Sequence, residues 1–176
     1  MASDKLIHLV RHPQAEHNVN RDKSIPDTPL TPLGKQQAEY LNESTSDNIQ
    51  ARADLLVTSP FTRTLQTTQI GLPKLKSRLE AADQELIVLS RLQETGASPC
   101  DIGKSREFEG IDFSSLEDDW NVKVGDFAPE NVRKWPRARP EREILSQTNF
   151  LRAITNTDRS NNWGNGEIRS FTFRIT

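Results

Sequence analysis

Apolar residues run almost without a break from Leu6 to Val10 and stop at the pair Arg11-His12. Such a run predicts a central strand of a sheet covered on both faces, with polar chemistry at its carboxyl end. Pro26, Pro29 and Pro32 punctuate the next segment as loop. Thr31 followed by Pro32 predicts a helix start, the threonine as cap and the proline at the first helical position, with the helix continuing from Lys35 to Leu41. Asp54 to Thr58 reads as a second buried strand, stopped by Ser59-Pro60. A helix from Pro60 to about Ile70 follows, with Ser59 as its cap. Leu86 to Leu89 predicts a third strand.

From Leu92 to Pro129 the chain is rich in Gly, Asp and Ser and has no clear period. This segment predicts a loop-rich excursion, a usual place for substrate contacts. Asn131 to Arg139 reads as a short basic helix disturbed by Pro136, Ile144-Leu145 as a weak strand, and Phe150 to Thr155 as helical. Ile168 to Ile175 alternates as an edge strand does. Strands alternating with helices predict an α/β fold of three layers, a largely parallel central sheet with helices on both faces. A single domain over residues 1–176 is expected, with the excursion at about 92–129.

Composition changes this picture little. Hydrophobic content of 34% and mean hydropathy of -0.70 sit on the polar side for a globular protein, but the charged fraction of 27% is ordinary and the net charge is only -2, so global disorder is not expected. No basic excess points to nucleic acid, and no stretch approaches the length of about 18 apolar residues that a membrane helix needs. No apolar leader follows the N-terminus, so the expectation is a soluble cytoplasmic protein. Lone Cys100 forms no internal disulfide and reads as a small semi-buried loop residue rather than a nucleophile. Nothing in the pattern sets an oligomeric state.

Candidate chemistry gathers at the first strand. The three histidines are His8, His12 and His17, with none afterwards. His8 lies inside the strand on the face of Val10 and reads as structural. His12 follows the strand end, beside the Arg11 guanidinium. An imidazole there can attack phosphorus while the arginine holds the equatorial oxygens. Neighbouring positive charge favours the neutral, nucleophilic form. His17 has two readings of equal weight, a pocket-mouth residue near a bound phosphate or a cap of the loop after the strand.

Leu9-Val10-Arg11-His12-Pro13-Gln14-Ala15-Glu16-His17-Asn18 resembles the signature of the histidine phosphatase superfamily, in its phosphoglycerate-mutase-like branch. The resemblance continues in order through Leu30 to Gly34, Ser59 to Thr67, Leu92 to Thr95 and the closing segment Trp163 to Arg169. It implies that His12 is the residue phosphorylated, that Arg11 and Arg63 clamp the phosphate, and that Glu94 protonates the leaving oxygen. It assigns substrate contacts to Asn18, His17, Thr31 and Gln147. Two arginines and a carboxylic acid are also what phosphoryl transfer requires chemically. The reaction needs no metal and no other cofactor, and the acidic residues show no metal-ligand spacing.

The pattern departs from the family in three places. The family's second histidine, which supports charge on the transferring phosphoryl group, has no counterpart in Glu143 to Leu151; its place falls to Gln147 or Asn149. The chain is contracted between Pro129 and Arg133. Pro13 stands where the family often has Gly or Ala, and it offers no backbone N–H to a phosphate. Two functions follow as expectations. One is a phosphomonoesterase acting on a small phosphorylated metabolite through phospho-His12, slowed by the missing histidine. The other is a degenerate member that binds an anionic ligand or a partner, or that uses the pocket for non-phosphoryl acid–base chemistry.

Overall fold

The computed structural model describes residues 4–94, 96, 98–104, 108–114, 116, 120–121 and 163–174. The elements are β1 (Asp4–Val10), α1 (Glu16–Val19), α2 (Pro32–Thr45), α3 (Ile49–Arg52), β2 (Val57–Thr58), α4 (Thr62–Gly71), α5 (Pro73–Glu80), β3 (Ile87–Val88) and β4 (Ile168–Arg174). The chain is therefore α/β, as its alternating pattern requires. Among the described residues no helix is long and apolar enough to cross a membrane.

The strands form two ladders of two. β1 pairs antiparallel with β4, with His8 opposite Ser170 and Val10 opposite Ile168. β2 pairs parallel with β3, Val57 opposite Ile87. Continuous apolarity predicts strands covered on both faces, yet the second strand is buried on one face only. Leu56 is 6% exposed and Leu55 is 61% exposed. Strand side chains alternate in direction, and the inward set meets the helices: Leu56 packs with Leu72, Leu75 and Leu79, and Val88 with Leu65, Phe113, Leu116 and Trp120. The excursion after Leu92, featureless by period, thus delivers large apolar side chains into the core.

Helix α2 begins as its sequence predicts. Thr31 caps it, its hydroxyl accepting from Gly34 N at 2.9 Å, and Pro32 opens the first turn. Its buried stripe of Gly34, Ala38, Leu41 and Thr45 packs toward α4. Helix α4 differs from expectation: it starts at Thr62, with Phe61 at the cap position and no local side-chain cap. Its capping group comes from far away in sequence. The Asp27 carboxylate accepts from Thr62 N and from Thr62 Oγ1, both at 2.9 Å. Helix α5 follows at once, Pro73 at its start, and buries Leu75 and Leu79. Gln50 joins these helices from inside the core. Its side-chain amide donates to Thr45 Oγ1 at 2.9 Å, and its Oε1 accepts from Leu75 N at 3.1 Å.

Candidate phosphate site

The site is assembled where β1 ends. Arg11 N donates to Glu167 O at 2.9 Å, and Gly166 N donates to His12 O at 3.3 Å. The turn before β4 therefore holds Arg11 and His12 in place. On the other side, Thr31 N donates to Gln14 O at 3.0 Å and Glu16 N to Pro29 O at 3.1 Å. These bonds fasten the loop after His12 to the start of α2. The loop cannot move without disturbing either element.

His12 is 7% exposed. Its Nδ1 lies 2.7 Å from Pro13 O, and a carbonyl only accepts, so Nδ1 carries the hydrogen. Nε2 then bears the lone pair. Burial, followed by the charge of Arg63, drives the His12 pKa down to about 3; Arg11 and His17 act in the same direction, against the Pro13 carbonyl. The imidazole is neutral at physiological pH, with its nucleophilic nitrogen defined.

Arg63 is the second residue of α4 and is 1% exposed. Its Nη1 donates to Cys100 O at 3.0 Å, and the guanidinium lies over the Phe61 ring with its carbon 4.3 Å from the centroid. Its Nε has no hydrogen-bond partner, and no carboxylate pairs with it among the described residues. A buried cation without a counterion is costly, and an anionic ligand is the natural complement. Arg11 donates from Nη1 to Trp163 O. Trp163 is buried beneath Arg169, whose guanidinium carbon is 4.4 Å from the ring centroid.

The other residues expected at the site divide. Asn18 uses its Oδ1 to accept from Ala15 N at 2.9 Å, which leaves its side-chain N–H groups as donors. His17 bonds through Nδ1 to Thr28 Oγ1 at 2.6 Å, and its ring centroid is 5.7 Å from that of His12. Burial and Arg63 lower its pKa to about 4. Thr31 is not free for a substrate. Its hydroxyl accepts from Gly34 N and donates toward Gln14, Oε1 at 2.8 Å, so its only hydrogen serves the loop that carries His12. Glu94 follows the 3-10 turn Ser90–Leu92 and is partly buried. Gln147 and Asn149 lie outside the described residues.

His8 has the structural role its strand position suggests, its Nδ1 lying 2.7 Å from Ser170 Oγ on β4. Cys100 is free and buried, with its thiol pKa pushed up to about 11 by burial and by Asp101. It contributes its backbone carbonyl to Arg63, not its sulfur to chemistry.

Three residues near the site have no signal in the linear pattern. Asp27, 5% exposed at a positive φ of 45°, caps α4 and accepts from Lys104 N at 3.2 Å. It thereby positions Arg63 and ties the excursion to the helix. Thr28 is fully buried and holds His17. Among the described residues, Asp101 is the carboxylate whose charge acts on His17. A lone acid in a proline-flanked loop gives no hint of a partner 35 residues away; only its tolerance of left-handed backbone is a local clue.

Comparison with known proteins supports the family resemblance. A phosphoglycerate mutase-like protein of Arabidopsis thaliana is 30% identical over 85% of this chain and 73% of its own length. A probable phosphatase of Schizosaccharomyces pombe is 28% identical over 66% of this chain and 55% of its own length. A phosphoserine phosphatase mutant of Entamoeba histolytica, solved with phosphoserine, covers 97% of this chain and 95% of its own at 16% identity, with a TM-score of 0.51, a likeness of fold. The chain spans 40% of the length of a solved mycobacterial hydrolase that it also resembles. The sequence profile of the histidine phosphatase superfamily (branch 1) matches residues 7–141, and the chain belongs to that superfamily.

Proposed function

We propose that the protein is a phosphomonoesterase-type hydrolase that acts on a small phosphorylated metabolite through a phosphohistidine at His12. One observation carries the reading: a buried, neutral imidazole with its Nδ1–H tied to Pro13 O, under the influence of two guanidinium groups. In the first step the Nε2 lone pair attacks phosphorus and the bond from phosphorus to the ester oxygen breaks. Glu94, as the carboxylic acid, gives that oxygen its proton. Arg11 and Arg63 hold the equatorial oxygens as charge shifts among them. In the second step water attacks the phosphohistidine and loses a proton to the Glu94 carboxylate. Phosphate leaves and His12 is restored.

The reading includes a penalty. No histidine follows position 17, so the second catalytic histidine of the family has no direct replacement in sequence, and loss of one such donor slows turnover by about 10² to 10³. We further read the two ladders as parts of one three-layer, largely parallel sheet, in a single domain. A cytoplasmic setting is supported by the single free cysteine. The missing histidine also favours a second reading, a pocket that binds an anion without turning it over.

The test is release of phosphate from a generic aryl phosphate by the intact chain. Slow release that disappears in His12→Ala is the expected result. Release that persists in His12→Ala removes His12 as nucleophile. Background turnover combined with a rise in melting temperature on adding phosphate selects the binding reading.

A further inference from the structure

His17 is the one imidazole near the site to which the phosphoryl-transfer steps give no role. It stands on α1, with its ring plane tilted 59° from that of His12 and the two centroids 5.7 Å apart. That separation lets a single tetrahedral phosphate touch both rings. Thr28 sets the state of the His17 ring. Its hydroxyl, completely buried, lies 2.6 Å from Nδ1 and has no other acceptor for its hydrogen among the described residues. The hydroxyl therefore donates to Nδ1. A neutral imidazole that accepts at Nδ1 carries its own hydrogen on Nε2, and the far edge of the ring becomes an N–H donor.

We propose that His17, held in this tautomer by Thr28, is the second imidazole of the phosphate pocket and donates from Nε2 to a phosphoryl oxygen of the bound monoester. It takes from α1 the part that the family assigns to a histidine much later in the chain. The inference rests on the phosphatase reading of the His12 pocket. Burial first, and then the neighbouring charges, explain why the donor waits uncharged. The groups acting on His17 are Arg63, Arg11 and Lys23, which oppose protonation, and Asp101, which favours it. A third cation beside two arginines is unfavourable in the empty site. A phosphate dianion works against that balance and raises the His17 pKa, while the ring keeps its Nδ1 lone pair for Thr28 and its Nε2–H for the ligand.

The experiment is ¹⁵N NMR of the imidazoles in the intact chain, titrated with inorganic phosphate. The three histidines are assigned with His8→Gln, His12→Gln and His17→Gln. Phosphate is expected to shift the signals of both His12 and His17 and to raise the His17 pKa by a unit or more from about 4. His17→Ala is expected to weaken phosphate binding about tenfold, with partial recovery in His17→Gln, which keeps an N–H donor. In the ligand-free protein, Thr28→Val should move the His17 proton between its two nitrogens, a change a purely packing role would not produce. If phosphate shifts His12 and leaves His17 unchanged, this assignment is overturned while the proposed function stands. If it shifts neither ring, both fall. The wild-type titration needs no substitution, so a variant that fails to fold does not shelter the proposal.

Discussion

Replacing Asp27 tests how the site is held together. The carboxylate accepts three hydrogen bonds, from Thr62 N and Thr62 Oγ1 at 2.9 Å and from Lys104 N at 3.2 Å. Removing a helix cap costs about 1 kcal/mol, and stranding further part-buried donors costs about 1–2 kcal/mol, the low end of the range for buried ones. Alanine at a φ of 45° adds about 1 kcal/mol of backbone strain, which asparagine largely avoids. Asp27→Ala should therefore lose about 3–4 kcal/mol. Asp27→Asn should lose about 1–2 kcal/mol, because its carbonyl still accepts from Thr62 N while its amide opposes Lys104 N. Urea unfolding read by circular dichroism measures both, and phosphate affinity reports whether Arg63 has moved. If Asp27→Ala unfolds within about 0.5 kcal/mol of wild type, the network carries no weight. If asparagine is as harmful as alanine, the backbone part of the reasoning is wrong.

Two other predictions concern the same region. A Cβ at Gly34 would overlap the carbonyl oxygen of Gln14, so Gly34→Ala should cost about 1–3 kcal/mol in urea unfolding and weaken phosphate binding by displacing the His12 loop; wild-type stability would show that α2 does not press on that loop. The His12 and His17 pKa values, about 3 and about 4 when folded, lie below the unfolded value of about 6.5. Between those values the unfolded chain binds more protons, so stability must fall as pH drops from 7 toward 4. The double variant His12→Gln/His17→Gln should flatten that slope in urea midpoints taken at pH 7 and pH 5, and an unchanged slope would refute the burial of two neutral imidazoles.

Much of the architecture was legible without coordinates because it rests on local chemistry. An apolar run ending in Arg11-His12 is a strand with polar groups at its end whatever surrounds it. Thr31-Pro32 begins a helix because a threonine hydroxyl and a proline ring act on the adjacent turn. The alternation of Ile168 to Ile175 likewise marks an edge-type strand, and β4 (Ile168–Arg174) pairs with β1 alone among the described residues. Helix α4 shows the limit of such reasoning. Ser59-Pro60 carries good local start signals, yet the helix begins at Thr62 because Asp27 reaches its first turn from 35 residues away.

The same division runs through the site. The resemblance to the histidine phosphatase signature brought Arg11, His12, Arg63 and Glu94 forward as a set, a nucleophile, two cations and an acid of the kind phosphoryl transfer needs. The His12 tautomer follows from the adjacent Pro13 carbonyl. Tertiary structure buried Arg63 without a carboxylate partner among the described residues and gave the Thr31 hydrogen to Gln14. It also set Thr28 against His17. Periodicity and motif spacing record which side chains a segment offers. Protonation and hydrogen-bond partner depend on which atoms, distant in sequence, arrive within about 3 Å.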